Sequence, residues 1–136
     1  REGKNFLNTM LRLATNRDVL TVVDDQLGCP THAGHLAEDL LRWVDLMARD
    51  SKRTSGVHHY GHRGITTWHG FACAILASHA PQVEVRPVST ASFPTRATRP
   101  VYSKLDETLF FEALGRDAVS WEVALESCLR AKFASS

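Results

Sequence analysis

One strand-to-helix segment constrains the fold of this chain more than any other. Val19 to Val23 is a run of β-branched and other apolar residues, which predicts a strand. The polar residues Asp25 and Gln26 follow it, and Gly28 indicates a turn before a long helical pattern begins. Because α/β proteins place ligands where a strand ends and turns toward a helix, we expect a binding site here.

Helical spacing of apolar residues predicts five helices, each preceded by a residue that can cap its N-terminus. The predicted caps are Asn5, Thr31, Thr67, Asp106 and Ser120. Short strands are predicted in residues 57–60 and 83–88. The pattern indicates an α/β domain, α+β-like in its order, with short strands packed with helices.

The longest predicted helix runs to Arg49 and has an apolar stripe at three-and-four spacing. We expect this stripe to be the centre of the core, so that Leu40→Ala costs about 2 to 5 kcal/mol. Trp68 and Trp121 lie on apolar stripes of other helices and are predicted to be core residues.

The length of 136 residues is typical of one domain. We predict a single domain over residues 1–136, with a mobile loop at 51–55 and a frayed tail at 134–136. The chain starts at Arg1 without an initiator methionine, directly ahead of a helical pattern, and we therefore expect it to be part of a longer protein.

Charge and composition exclude several classes of protein. Lys and Arg number 16 against 15 Asp and Glu, and the net charge of +1 gives no broad field for binding nucleic acid. No apolar run reaches the roughly 20 residues of a membrane helix. Three scattered cysteines do not form a disulfide framework and indicate a reducing, cytoplasmic compartment.

Two common kinds of site are missing from the sequence. No glycine-rich turn for a dinucleotide opens a helix after a strand, and no Tyr and Lys stand four positions apart as a proton relay. His58, His59, His62 and His69 lie close in sequence, but neither cysteines nor paired acids accompany them at ligand spacing. We therefore predict no catalytic residue and no metal site in this chain.

Arginines in a proline-bounded loop are candidates for binding an anion. Arg96 and Arg99 lie between Pro94 and Pro100, and a planar guanidinium pairs with phosphate through two hydrogen bonds. Ordinary solvated arginines are the alternative.

Three further side chains have two interpretations each. Asp25 and Gln26 suit sugar hydroxyls, but they could equally close the turn through nearby backbone groups. Asn5 is a helix cap or a residue beside a ligand.

The chain resembles the C-terminal half of the dTDP-4-dehydrorhamnose reductases, a family of extended short-chain dehydrogenases. The likeness extends in one register from Asn5 to about Leu129. The matching residues are Asn5-Phe6, Thr9 to Ala14, Val22 to Thr31, Gly56, Thr67-Trp68, Phe71-Ala72, Pro94-Thr95, Arg99-Pro100, Ser103, Leu105-Asp106 and Trp121.

The resemblance implies a substrate-binding role for this chain. It implies that Arg99 meets the pyrophosphate of a dTDP-sugar and that Asn5 lies beside the nucleotide. Asp25 and Gln26, whose side chains suit sugar hydroxyls, are then expected to lie along the sugar. An N-terminal Rossmann half would hold NADPH, or NADH as the alternative, together with the catalytic Tyr and Lys. The whole enzyme would reduce dTDP-4-dehydro-L-rhamnose to dTDP-L-rhamnose for surface polysaccharide. Some family members use magnesium in assembly, and a homodimer is compatible with the resemblance.

Two alternatives stay open from the sequence. Related proteins keep this fold as a non-catalytic regulatory subunit that binds a partner enzyme. Other nucleotide-sugar reductases and epimerases share this fold as well. The spacing of Asp25, Gln26, Gly28 and Pro30-Thr31 favours the dTDP-4-dehydrorhamnose reductases over them.

Overall fold

The computed structural model describes residues 5–93 and 97–134. Both helices and short strands occur in this part of the chain, which confirms the predicted α/β class with short strands packed with helices. None of the helices in it is long and apolar enough to cross a membrane. The elements are α1 Phe6–Ala14, β1 Val19–Val23, β2 Leu27–Gly28, α2 Ala33–Arg49, β3 Thr66–Thr67, α3 Trp68–Leu76, β4 Glu84–Val88, a 3-10 turn Thr90–Ser92, α4 Thr108–Leu114 and α5 Trp121–Phe133.

The chain forms two compact units, each assembled from two stretches of sequence. The strand unit comprises Arg1–Gly28 and Thr66–Ser103, and the helix unit comprises Cys29–Ile65 and Lys104–Ser136. That residues 1–136 behave as a single domain stays a prediction.

Two predictions concern segments whose motion the structure does not test. Residues 51–54 form turns, and the mobility predicted for 51–55 stays a prediction. Of the tail predicted to fray at 134–136, only Ala134 lies within the described residues, where it follows the end of α5.

The strand unit is built on two parallel strands. β1 and β4 pair in parallel with Leu20 opposite Val85, and Leu20 and Val22 are buried. α3 packs against both strands and against α1, and its Ile75 is fully buried. The strand predicted at 83–88 is thus confirmed, and it brings the end of β4 beside the end of β1.

The strand predicted at 57–60 is wrong, because these residues form no strand in the structure. Their side chains make tertiary contacts within the helix unit in place of a backbone ladder. The Tyr60 hydroxyl donates to Asp39 Oδ2 at 3.3 Å, and Tyr60 lies edge-on to Phe110 at 5.3 Å. A short apolar run does not reveal whether a partner strand exists.

Local hydrogen bonds confirm three of the predicted helix caps. Asn5 Oδ1 accepts from Asn8 N–H at 2.8 Å, Thr67 Oγ1 accepts from Gly70 N–H at 3.0 Å, and Ser120 Oγ accepts from Val123 N–H at 3.4 Å. All three side chains thereby satisfy an N–H group that the helix itself leaves unpaired.

The other two predicted caps need correction. α2 is capped by His32 and not by Thr31, because His32 Nδ1 accepts from His35 N–H at 3.3 Å. α4 starts at Thr108 after Glu107, although the Asp106 carboxylate still accepts from Thr108 N–H at 3.0 Å.

The core of the helix unit is aromatic. Trp43 stacks on Phe110 with ring centroids 4.5 Å apart, and Phe110 packs on Phe111 at 5.3 Å. Trp121 is 8% exposed, which confirms its prediction as a core residue.

The apolar stripe of α2 is not the centre of the core, contrary to the sequence prediction. Leu40, Leu41, Val44 and Met47 are 47%, 71%, 61% and 51% exposed. The buried position on this helix is Asp39, which is 1% exposed. The spacing of apolar residues identifies the apolar face of a helix, but it does not show which surface covers that face. An apolar helix face that is exposed is typical of an interface.

Buried Asp39 is the centre of a polar network in the helix unit. Its Oδ1 accepts from Arg42 Nη1 and Arg116 Nη1, both at 2.7 Å, and its Oδ2 accepts from the Tyr60 hydroxyl. Burial raises the pKa of Tyr60, and the neighbouring Asp39 charge raises it further, so the phenol stays a donor. A buried carboxylate is tolerated here because three donors surround it.

Two adjacent substitutions on α2 test this description. Asp39→Ala leaves the Tyr60 hydroxyl and Arg116 without their acceptor and should lower the free energy of unfolding by about 1.5 to 3 kcal/mol. Leu40→Ala removes an exposed side chain and should change it by only about 0.5 kcal/mol. Urea unfolding of both variants measures the difference. A larger loss for Leu40→Ala would restore the original assignment of this stripe to the core.

Three histidines meet at the N-terminus of α2. His62 is 1% exposed, and its Nε2 accepts from His32 N–H at 3.1 Å. The His32 ring lies 4.5 Å from that of His35 and itself accepts from a backbone N–H. A backbone N–H can only donate, so His62 and His32 are neutral. Burial lowers the pKa of both, and the neighbouring His35 lowers each further.

The histidine cluster should make stability depend on pH near neutrality. The folded pKa of His62 lies below its ordinary value of 6.5, so the unfolded chain binds more protons in the window beneath that value. The stabilisation that neutral His62 contributes to the folded state is complete above pH 6.5 and is lost as the pH falls below that value. Urea unfolding at pH 7.5 and 5.5 measures this loss, and His62→Gln, which keeps an acceptor without titrating there, should reduce it. His59→Gln, at an exposed position, is the matched control, and equal losses in all three proteins would contradict the prediction.

Candidate functional site

The polar residues that follow β1 lie beside the segment that follows β4. The two strands are parallel, so their carboxyl ends share one edge, and Asp24 N–H donates to Val88 O at 2.9 Å to extend the pairing. Asp25 is the residue after Asp24, and Thr90 lies two positions after Val88. This is the edge where the sequence predicted a ligand site.

Asp25 binds Thr90 through both carboxylate oxygens. Its Oδ2 accepts from Thr90 N–H at 2.8 Å, and its Oδ1 accepts from the Thr90 hydroxyl. These hydrogen bonds lower the pKa of Asp25, the hydroxyl bond most strongly. Asp25 therefore fixes the start of the loop that follows β4.

Gln26 joins this loop to helix α3. Its Nε2 donates to Thr90 Oγ1 at 2.9 Å, and its Oε1 accepts from Trp68 Nε1 at 3.2 Å. The amide is thus oriented at both ends, and its nitrogen and oxygen are assigned by their partners.

Trp68 is not a core residue, contrary to the sequence prediction. It is 40% exposed, and its ring packs against Phe6 at 4.9 Å, which in turn stacks on Phe71 at 5.6 Å. Trp68 is the first residue of α3, where one side of the ring meets the α1 aromatics and the edge reaches Gln26. The apolar stripe indicated the aromatic contact and could not indicate the hydrogen bond.

The segment after the loop is anchored next to Gln26. Leu27 N–H donates to Val101 O at 2.7 Å, and Leu27 O accepts from Ser103 N–H at 2.9 Å. A Cβ at Gly28 would lie 2.8 Å from Ser103 Oγ, so this close approach favours glycine. Residues 25–27 therefore bind both the first and the last part of the segment 90–103.

Arg99 lies two positions before Val101, on the segment anchored by Leu27. It is exposed, and within residues 5–93 and 97–134 no hydrogen bond or ion pair engages its guanidinium. Pro94 and Arg96, the other predicted loop residues, lie outside the described residues. That Arg99 binds an anion stays a prediction.

Asn5 is linked to Trp68 and Gln26 through Phe6, the next residue in the sequence. The Asn5 amide caps α1, and Phe6, the next residue, contacts the Trp68 ring. The structure thus connects Asn5, Asp25 and Gln26 through Trp68 and Thr90, two residues that the sequence analysis did not select for the site. That the three contact a substrate stays a prediction.

A neighbouring acid, histidine and cysteine do not form a nucleophilic centre. Asp24 Oδ1 lies 3.5 Å from His69 Nδ1, and Cys73 Sγ lies 3.6 Å from His69 Nε2. Burial raises the pKa of Cys73, and the Asp24 charge raises it further, so the thiolate is disfavoured. His69 Nε2 is also 3.1 Å from Val85 O, and we assign this group a structural role.

The residues that the structure describes do not form a site that fits a dinucleotide or a metal ion. Positive φ angles occur at Gly56, Gly64 and Gly115, and none of these glycines forms the turn between a strand and a following helix. A dinucleotide pyrophosphate requires such a turn. In the part of the chain that the structure describes, no three His, Cys, Asp or Glu side chains group so that they could hold a metal ion.

Comparison with known proteins identifies close relatives. A dTDP-4-dehydrorhamnose reductase of Burkholderia thailandensis is 39% identical over 139 residues, covering 94% of this chain and 47% of its own length. The crystal structure of a dTDP-4-dehydrorhamnose reductase from Clostridium acetobutylicum is 33% identical with a TM-score of 0.79, covering 96% of this chain and 44% of that one. The Bacillus anthracis reductase, solved in complex with NADP, is 34% identical with a TM-score of 0.76, at 93% and 43% coverage.

The similarity to these relatives covers nearly all of this chain. The chain itself spans about half of their length. The family model described as the RmlD substrate binding domain matches residues 1–133. The resemblance found in the sequence is thereby confirmed, and the chain belongs to the RmlD substrate binding domain family.

Proposed function

We propose that this chain is the substrate-binding half of a dTDP-4-dehydrorhamnose reductase. The whole enzyme would reduce the 4-keto group of dTDP-4-dehydro-L-rhamnose and give dTDP-L-rhamnose for surface polysaccharide. The observation that supports this most strongly is the oriented Gln26 amide at the end of β1, in a chain of the substrate-binding family. Fixed polar groups at the carboxyl end of a strand suit a ligand with many hydroxyls.

Gln26 and Asp25 keep hydrogen-bonding capacity for a sugar. A Gln side chain has two N–H donors and two acceptor lone pairs, of which Thr90 and Trp68 use one each. A carboxylate accepts about four hydrogen bonds, and Thr90 donates two to Asp25. Both residues can thus bind sugar hydroxyls while their internal contacts fix their orientation, which lowers the entropic cost of binding.

Arg99 and Asn5 would bind the nucleotide part. The exposed guanidinium of Arg99 offers five donors for the pyrophosphate, on a segment that Leu27 anchors. Asn5 uses its carbonyl oxygen to cap α1, and its amide hydrogens are available for the nucleotide.

Catalysis belongs to the other half of the enzyme in this proposal. That half would bind NADPH, or NADH as the alternative, and would supply the catalytic Tyr and Lys. Magnesium would not be held by the described residues. We extend the proposal to a cytoplasmic location, which suits three free cysteines, and to a homodimer, for which the exposed apolar face of α2 offers surface.

Binding by this chain alone tests the proposal. Calorimetric titration should show saturable binding of dTDP and dTDP-L-rhamnose, since Gln26 and Arg99 lie in the chain. NADPH should not bind, because no turn among the described residues fits its pyrophosphate. UDP-glucose is the control for the alternative sugar-nucleotide enzymes. Saturable NADPH binding, or a preference for UDP-glucose, would contradict the assignment.

Arg99→Lys tests the pyrophosphate contact. An ammonium cannot make the two-pronged bond, so dTDP affinity should fall about tenfold or more, equivalent to the loss of about 1.5 kcal/mol. Thymidine, which has no pyrophosphate, should bind both proteins equally. Arg17→Lys, at an exposed position before the opposite end of β1, is the matched control. Unchanged dTDP affinity in Arg99→Lys would make Arg99 an ordinary surface charge.

A further inference from the structure

Trp68 is the largest exposed aromatic side chain beside the predicted substrate residues. It is 40% exposed, whereas Trp121 is 8% exposed and Trp43 stacks on Phe110. Tryptophan in a folded protein normally buries most of its ring, and an exposed one in contact with polar groups of a site indicates a ligand surface.

The ring of Trp68 is fixed in place. Phe6 packs against it at 4.9 Å, and Phe71 supports Phe6 with nearly parallel rings at 5.6 Å. The indole N–H donates to Gln26 Oε1, and Gln26 is in turn bound by Thr90. These contacts act on two different parts of the side chain, so the exposed remainder is held before a ligand arrives. A preordered aromatic surface loses little conformational entropy on binding.

From this geometry we propose that Trp68 stacks on the thymine base of the dTDP-sugar, an inference that rests on the proposed function. A nucleobase presents a flat π-face to an aromatic ring, and such stacking does not need a hydrogen-bond pattern. The hydrogen bond between Trp68 and Gln26 places the base close to the groups assigned to the sugar. Trp68 is then a ligand-contacting residue and not a catalytic one.

Three variants separate stacking from a structural role. Trp68→Leu keeps apolar volume against Phe6 but removes the π-face, and it should weaken both thymidine and dTDP about tenfold or more. Trp68→Phe restores a stacking ring and should recover part of that affinity. Trp43→Phe, in the helix unit, should bind both ligands like the parent chain. Urea midpoints of all variants show whether each is folded.

Fluorescence gives a second readout in the same titrations. Binding of thymidine should quench part of the tryptophan emission of the parent chain and of Trp43→Phe. The quenching should be absent in Trp68→Phe, which still binds the ligand. Quenching that persists in Trp68→Phe would overturn the proposal, as would parental thymidine affinity in Trp68→Leu.

The remaining outcomes distinguish this inference from the proposed function. If Trp68→Leu weakens dTDP-L-rhamnose but not thymidine, the ring meets the sugar and the base assignment is wrong. If dTDP binds the parent chain and Trp68→Leu equally, only the stacking fails and the proposed function stands. If dTDP does not bind the parent chain, the proposed function fails and the inference fails with it.

Discussion

The parallel pairing of β1 with β4 is the constraint on which the rest of the candidate site depends. Two parallel strands end at the same edge, so the residues after Val23 and those after Val88 meet although they are far apart in sequence. Asp25 and Gln26 then bind Thr90 and determine the direction of the loop that follows. The site is therefore a property of strand register, because a shift of one residue would turn these side chains to the other face.

The contact between Asp25 and Thr90 persists across the physiological pH range. Its hydrogen bonds lower the pKa of Asp25 below the ordinary 3.8, so the stabilisation is present above that value and is lost only as the pH falls below it. The pKa values of His62 and His32, beside the start of α2, are lowered by burial below the ordinary 6.5, so their stabilisation begins to be lost at a higher pH than that of Asp25. Mild acid should therefore weaken the helix unit while the carboxylate contact of the strand unit remains intact.

Local features of the fold could be predicted from the sequence, whereas contacts across the chain could not. The caps Asn5, Thr67 and Ser120 follow from residue type because they bind an N–H group three positions later. The exposed stripe of α2 and the position of Trp68 depend on partners elsewhere, which periodicity does not specify. Asp25 and Gln26 could be selected from the sequence as polar residues that follow an apolar strand, but nothing in the sequence indicated that Thr90 would bind them.

Internal hydrogen bonds at Gln26 do not compete with a role in binding. An amide with no partner would rotate, and ordering it would cost a ligand conformational entropy. With one donor used by Thr90 and one acceptor used by Trp68, Gln26 offers its remaining donor and acceptor in a fixed direction. The alternative interpretations of this residue, turn closure and ligand binding, are therefore compatible, because the contacts that close the turn also orient the groups that a sugar would meet.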